Sequence, residues 1–417
     1  MPSESMVNAR AVTPTDHGDH SIDGVPVGPV VAPEDPDALA EALDDARAAG
    51  RAVFPVGGGT SLGLGNIPRR EGIALSTLRL DRVLDYEPAD LVISVEAGIT
   101  LAALQRVLAE NGQWLPVETP WPERSTLGGM IATARAGPRR HGSGTLRDLL
   151  IGMAVAHPGG TVTRSGGMVV KNVSGFDMPR LYHGSLGTLG VVVSANLKVL
   201  PLPRAGATVI IEAGDLASAG ALIDRLRTVG PDAVAFEASL EDDHWRVAIR
   251  FEGRGGGVDR LVSQLVATVS APSRVLMNGD GKAWWQGAID ASSDGPSDAL
   301  ETVSGVRPRE AMALVSRVLD RCLAESIVPE AIRVSPGVGT VAMRCRITDG
   351  GEDAAVRLIG ALRSGSDHTV VRSAPVWVKR RVDVWGPEPE TIDVQRSLKR
   401  HFDPDGVLNP GRFIGQI

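Results

Sequence analysis

The chain has 417 residues, enough for two or three domains, and 43 Lys and Arg against 50 Asp and Glu give a formal net charge of -7. The charges are interspersed without a basic patch, which argues against a simple polyanion-binding protein, and a hydrophobic share of 43% excludes a disordered chain. Two cysteines, Cys322 and Cys345, supply neither a disulfide framework nor the four thiolates an iron–sulfur cluster usually takes, so the expected setting is a reducing cytoplasm.

Residues 1–30 read as a loose polar arm without signal-peptide order, and no stretch reaches the roughly 20 apolar residues of a membrane span. Structure is expected from Asp35, where Pro36 opens a helix with Leu39, Leu43 and Ala46 on one face and Gly50 as its stop. A strand over Arg51 to Val56 then runs into three glycines. Short strands follow at Ile73 to Ser76 and Leu91 to Glu96. A helix capped by Thr100 carries Leu101, Leu104 and Leu108 to a stop at Gly112. From Thr119 to Gly190 glycine and short polar residues dominate, and an apolar strand follows from Val191. The step Pro201-Leu202-Pro203 marks a boundary, which divides the chain into a first domain at 31–205, a second at 206–391 and a closing segment at 392–417. In the second domain strands and helices interleave, and a sheet covered by helices on one side is expected. Asn278 to Ser304 reads there as a polar surface excursion, with Trp284-Trp285 as a candidate interface anchor or a core pair. The fold class is α+β.

Three glycine-rich segments stand out. Gly57-Gly58-Gly59-Thr60-Ser61 follows a strand, and residues without a Cβ let backbone amides close on a phosphate, although tight turns use the same residues. It matches neither the dinucleotide fingerprint nor a P-loop. In Ser125-Thr126-Leu127-Gly128-Gly129 the expectation is a short helix capped by Ser125, its amides turned to an anion or its glycines packed on a neighbour. Gly137 to Thr145 sets Arg139 and Arg140 beside a hinged turn. Gly166 to Gly190 adds Lys171 and Asn172 on an expected strand, a short helix from Asp177, and Gly187 in a closing turn. Several such walls within one domain suit a large ligand with a diphosphate and a planar ring.

Pro55-Val56-Gly57-Gly58-Gly59-Thr60-Ser61, Ser125 to Gly129, Gly142-Ser143-Gly144-Thr145-Leu146-Arg147-Asp148 and Gly187-Thr188-Leu189-Gly190 closely resemble the FAD-binding domain of the vanillyl-alcohol-oxidase-type (PCMH-type) flavoproteins. Val170 to Leu181 and Phe402 to Phe413 narrow the resemblance to the E-subunit family of bacterial glycolate oxidase. It covers Asp35 to Leu202, thins in the middle, and returns from Val382 to Phe413.

The resemblance implies a PCMH-type FAD domain, then a smaller α+β cap, with the C-terminal segment returning to the FAD domain. Noncovalent FAD would rest on Pro55, Val56, Gly57, Gly58, Gly59, Thr60 and Ser61, and on Thr119, Pro120, Ser125, Thr126, Gly128 and Gly129. Arg140, His141, Gly142, Ser143, Thr145, Lys171, Asn172, Asp177, Gly187 and Asn409 would line its other parts. Related oxidases often tether flavin through a histidine in the first glycine loop, where this chain has Thr60. No cysteine precedes Cys322. The implied reaction is dehydrogenation of glycolate or a related 2-hydroxy acid, within a complex holding a catalytic flavoprotein subunit and an iron–sulfur subunit. Membrane association would come only through such partners.

Arginines suit the acid's carboxylate, and Arg344, Arg346, Lys379, Arg380 and Asn409 are the candidates for the reaction site. Catalytic relatives tend to carry a histidine-rich metal site and a Gly-Asp-Gly-Asn-x-His segment; Gly279-Asp280-Gly281-Lys282 has neither the asparagine nor the histidine. The expected metal content is none. The cap thus shows no evident base or metal site, which fits a noncatalytic or electron-relaying partner; the preferred reading is the FAD-binding subunit of such a complex, and the alternatives are a stand-alone FAD oxidoreductase and a redox-inactive scaffold.

Overall fold

The computed structural model describes residues 21–168, 176–229, 232–241, 243–291, 299–347 and 350–417. The first helix, Pro36–Ala48, begins where the Asp35 carboxylate accepts the Ala38 amide at 2.8 Å and proline occupies the first turn. Leu39 and Leu43 are wholly buried; each stabilises by about 1.5–3 kcal/mol on leaving water. Thr100 caps Leu101–Ala109 by accepting the Ala103 amide, and Leu101, Leu104 and Leu108 face inward as their spacing requires.

Two larger sheets, beside a two-stranded one of Gln113–Trp114 and Leu200–Pro201, build the first region. A four-stranded sheet orders Ser21–Ile22, Val25–Val31, Gly72–Ser76 and Ala52–Val56, the last three mutually parallel. A five-stranded antiparallel sheet orders Val83–Glu87, Val92–Glu96, Val191–Lys198, Leu150–His157 and Thr161–Gly166. Residues 21–31 are therefore not part of a loose arm. Pro26 and Pro29 interrupt the strand signal, but Ile22 and Val27 are buried beside Phe54.

The second region holds the largest sheet. Its eight strands, all antiparallel, run in the order Ser273–Met277, Ala205–Gly214, His244–Gly253, Ala235–Glu241, Val328–Ser335, Thr340–Arg346, Ala299–Gly305, His368–Ser373. Helices Leu216–Val229, Gly255–Thr268, Ala311–Ala324 and Glu352–Ser364 bury one face of it, as the sequence predicts. The stretch read as a surface excursion is instead a helix, Asn278–Ala291, and the strand Ala299–Gly305. Trp285 is a core residue of that helix: it is 2% exposed and its indole N–H donates to Thr208 Oγ1 at 3.0 Å. The interface-anchor expectation fails for it, because the helix turns this side chain onto the sheet.

The C-terminal segment returns to the first region. Val53 donates its amide to Val407 O at 2.8 Å and accepts that of Asn409 at 2.9 Å, adding Leu408 beside the strand Ala52–Val56. Asp403, wholly buried, accepts the Val407 and Leu408 amides and an ion pair from Lys399 at 2.6 Å. That carboxylate sets the turned path on which Asn409 and Arg412 sit.

Candidate functional site

The site begins as a cradle of backbone. Gly57 to Ser61 leave the strand Ala52–Val56, and the amides of Gly58, Gly59, Thr60 and Ser61 donate to no acceptor among the described residues. The close approach demands glycine: a Cβ on Gly58 would stand 1.7 Å from the Arg124 carbonyl oxygen, and one on Gly57 2.1 Å from Thr126 Oγ1. Ser125 ties the loop down, its hydroxyl reaching Pro120 O at 2.7 Å and Thr60 Oγ1 at 3.3 Å, with Thr119 Oγ1 donating to it at 3.3 Å. From the far side Arg412 donates to Leu62 O and Leu64 O, each at 2.5 Å, and Lys379 to Gly63 O at 2.6 Å.

Asn409 closes the cradle. Its Nδ2 donates to Leu186 O at 2.6 Å, while its Oδ1 is buried without a partner. A row of undonated amides and an orphaned buried acceptor are what a diphosphate and a ring N–H require. The cradle thus fits FAD.

Pro55 to Ser61, Thr119, Ser125, Thr126, Gly129, Gly187 and Asn409 meet around this one hollow. Other expected residues go elsewhere. Thr126, not Ser125, caps the helix Leu127–Thr133, and its amides are spent: Leu127 donates to Ile99 O, Gly128 to Ala97 O and Gly129 to Thr126 Oγ1. Gly128 packs on Ala97. His141 meets Phe236 edge-on, and the Gly142 amide donates to Val234 O, so this turn docks on the large sheet. Thr145 belongs to a capping box with Asp148 next to Ser143, and Asp177 pairs with Arg180 at 2.5 Å. Lys171 and Asn172 lie outside the described residues.

A cavity of ≈ 380 Å³ lies between the cradle and the open face of the large sheet. Arg135 belongs to both: it lines each hollow and donates to Thr60 O at 3.4 Å and Ser61 Oγ at 3.5 Å. Pro120 and Arg140 line the cavity from the first region; Glu237, Glu301, Arg333, Arg344 and Arg372 line it from the sheet. Charge is handled unevenly here. Glu118 is saturated, accepting from Arg139 at 3.0 Å and Arg250 at 2.6 Å; burial pushes its carboxyl up, but the two guanidinia outweigh that and hold it below the ordinary range. Arg139 also pairs with Glu252, and Arg250 lies over the Trp285 ring at 4.6 Å.

By contrast, Arg140, Arg372 and Glu301 make no side-chain hydrogen bond or ion pair among the described residues. Burial, with Arg135 and Arg140 nearby, lowers Arg372 to about 10, so it stays charged at neutral pH. Burial raises Glu301 against the pull of Arg135, Arg344 and Arg372. Burial also pushes Glu237 up to about 7 against Arg333 and Ser335, whose hydroxyl donates to it at 2.6 Å.

Of the five expected reaction-site residues, Arg344 reaches this cavity and Asn409 the cradle. Arg344 is committed to Glu330 at 3.3 Å and Ala291 O at 2.7 Å. Arg346 pairs with Glu330 at 2.6 Å on the exposed rim. Lys379 is buried on Asp23 at 2.8 Å, and Arg380 is exposed. Arg372, Arg135 and Glu301 were missed. Only Arg372 left a signal, an inward-facing charge on the expected strand His368 to Ser373.

Among the described residues there is no group of three or more His, Cys, Asp or Glu placed to hold a metal, and no helix long and apolar enough to cross a membrane. The FAD binding domain family model matches residues 28–166. The glycolate oxidase subunit GlcE of Escherichia coli (strain K12) is 44% identical over 124 residues, 30% of this chain and 35% of that protein. A D-lactate dehydrogenase of Anaerostipes hadrus is 30% identical over 410 residues, covering 88% of this chain and 85% of that one. A solved alkyldihydroxyacetonephosphate synthase matches the fold with a TM-score of 0.69 at 16% identity, over 93% of this chain and 77% of the other. The protein binds FAD noncovalently and is an FAD-dependent oxidoreductase or a subunit of one. With its glycine cradle and its match along most of a D-lactate dehydrogenase, the chain belongs to the PCMH-type FAD-binding flavoproteins of the glycolate oxidase and D-lactate dehydrogenase family.

Proposed function

We propose that this chain is the FAD-binding subunit of a glycolate or related 2-hydroxy-acid dehydrogenase complex, and that the acid enters the cavity beside the cradle. The observation that carries this reading is the unpaired charge there: Arg140 and Arg372 opposite Glu301, joined to the cradle by Arg135. Half-buried guanidinia without partners favour a small anion, and a carboxylate accepts their fork of donors. Two buried cysteines give this chain no iron–sulfur cluster of its own, and in this reading an iron–sulfur subunit and a second flavoprotein subunit complete the complex and take the electrons on. When bound, the flavin supplies the two-electron acceptor for the hydride lost from C2 of the acid.

Visible spectra of the purified protein before and after anaerobic addition of glycolate and D-lactate test the reading. Expected are flavin bands that bleach with one of the acids, and a cysteine-rich protein that co-purifies from the native host. Bleaching without any partner favours a stand-alone dehydrogenase, which the length of the D-lactate dehydrogenase match supports. A flavin that neither acid bleaches, alone or in the complex, sinks the substrate assignment and leaves a scaffold.

A further inference from the structure

Strand pairing puts Glu301 between two arginines. Arg344 is its direct partner on the strand Thr340–Arg346. On the other side Glu301 pairs with Ser373 while Thr302 pairs with Val371, so a bulge leaves Arg372 as the extra residue opposite Glu301. Bulges re-aim side chains, and this one brings a second guanidinium to the cavity face. Leu300 and Val371 point into the helix-covered core, which leaves Glu301 and Arg372 on the cavity side. Yet neither arginine reaches ion-pair distance of Glu301, because Arg344 is turned to Glu330 and Ala291 O. A half-buried carboxylate and a half-buried guanidinium that face one cavity without touching leave room for a molecule that satisfies both.

We propose that Glu301 takes the hydroxyl proton of the 2-hydroxy acid while Arg372, with Arg140, grips the acid's carboxylate. This rests on the function proposed above. Oxidation removes a hydride from C2, accepted by the flavin, and a proton from the hydroxyl. The C2–O bond becomes a carbonyl, and the O–H proton moves to a Glu301 oxygen and later to water. The other carboxylate on this face, Glu237, is worse placed: it is only 4% exposed and Ser335 occupies one of its oxygens. The charged groups around Glu301 are Arg344 with its partner Glu330, Arg372 on the opposite strand, and Arg135 and Arg140 from the first region. Their excess positive charge favours a bound monoanion, while burial opposes the charge of Glu301 and so suits it to receive a proton.

Oxalate is the probe. It places a second carboxylate where the hydroxyl would lie, so it and Glu301 must share a proton. Calorimetric titration of the FAD-loaded protein in two buffers of different ionisation heat counts the protons taken up. Expected is close to one proton per oxalate near neutral pH, with affinity falling about tenfold per pH unit on the alkaline side. E301Q binds oxalate without uptake and without that slope, and its FAD content is unchanged because Glu301 lines no part of the cradle. E237Q keeps the uptake. In turnover E301Q loses on the order of 10²–10⁴-fold in rate. Uptake that survives in E301Q, or turnover at full rate by E301Q, overturns the assignment of Glu301 and leaves the proposed function standing. A wild-type flavin that no 2-hydroxy acid bleaches overturns the function itself.

Discussion

The two halves of the site are made of different material. The cradle in the first region is backbone: consecutive glycines, four undonated amides and carbonyls pinned by Arg412 and Lys379. The cavity in the second region is side chain, an open sheet face bearing Glu237, Glu301, Arg333, Arg344 and Arg372. A backbone cradle has few tolerable substitutions, since a Cβ at Gly57 or Gly58 collides. A side-chain wall can change its charges one at a time with the fold intact. On the proposed function, the first half governs whether FAD is held, and the second what is held beside it.

The sharpest way to break the comparison is Gly58→Ala. Its Cβ would fall 1.7 Å from the Arg124 carbonyl oxygen, so the loop must shift. FAD retention, read from flavin absorbance against protein, is expected to fall by roughly tenfold to a hundredfold, which is about 1.4–2.8 kcal/mol. Full retention would show that the cradle is not backbone-limited.

Arg372→Met should leave FAD untouched and weaken oxalate binding by about tenfold or more, since a charge-assisted bond contributes about 1.5–3 kcal/mol. The same variant should raise the melting temperature, because it removes an unpaired, half-buried charge. A drop in both stability and FAD would mean that Arg372 serves the fold rather than the ligand.

Glu237→Gln gives a pH signature. The folded carboxyl titrates at about 7 against an ordinary 4.5, so the folded state holds more protons across that window. Stability from Glu237 is full below about pH 4.5 and is lost as pH rises through 7. Melting curves of wild type and variant should therefore diverge with pH, the variant gaining most at pH 8. Parallel curves would place this carboxylate in a wetter setting.

The smallest effect is expected of Arg346→Ala. Its 2.6 Å pair with Glu330 sits on a side chain 63% exposed, and such pairs contribute at most about 1 kcal/mol. Denaturant midpoint and oxalate affinity should both be unchanged, in contrast to Arg372 only two strands away.

What the amino-acid sequence determined by itself was local. Three glycines after a strand, an aspartate and proline at a helix start, and leucines at helical spacing each act over a few residues. So the cradle, the first two helices and the α+β class were legible. What only the tertiary structure decided was long-range. The Arg372 bulge exists because His368–Ser373 pairs with a strand some 70 residues earlier, and that strand lay in a run that reads as polar loop. Likewise, that Leu127 and Gly128 spend their amides on Ile99 and Ala97, and that Lys379 is buried on Asp23, depends on partners far away in the chain. A charge is functional or structural according to whether another group neutralises it, and that neighbour is set by packing, not by sequence spacing.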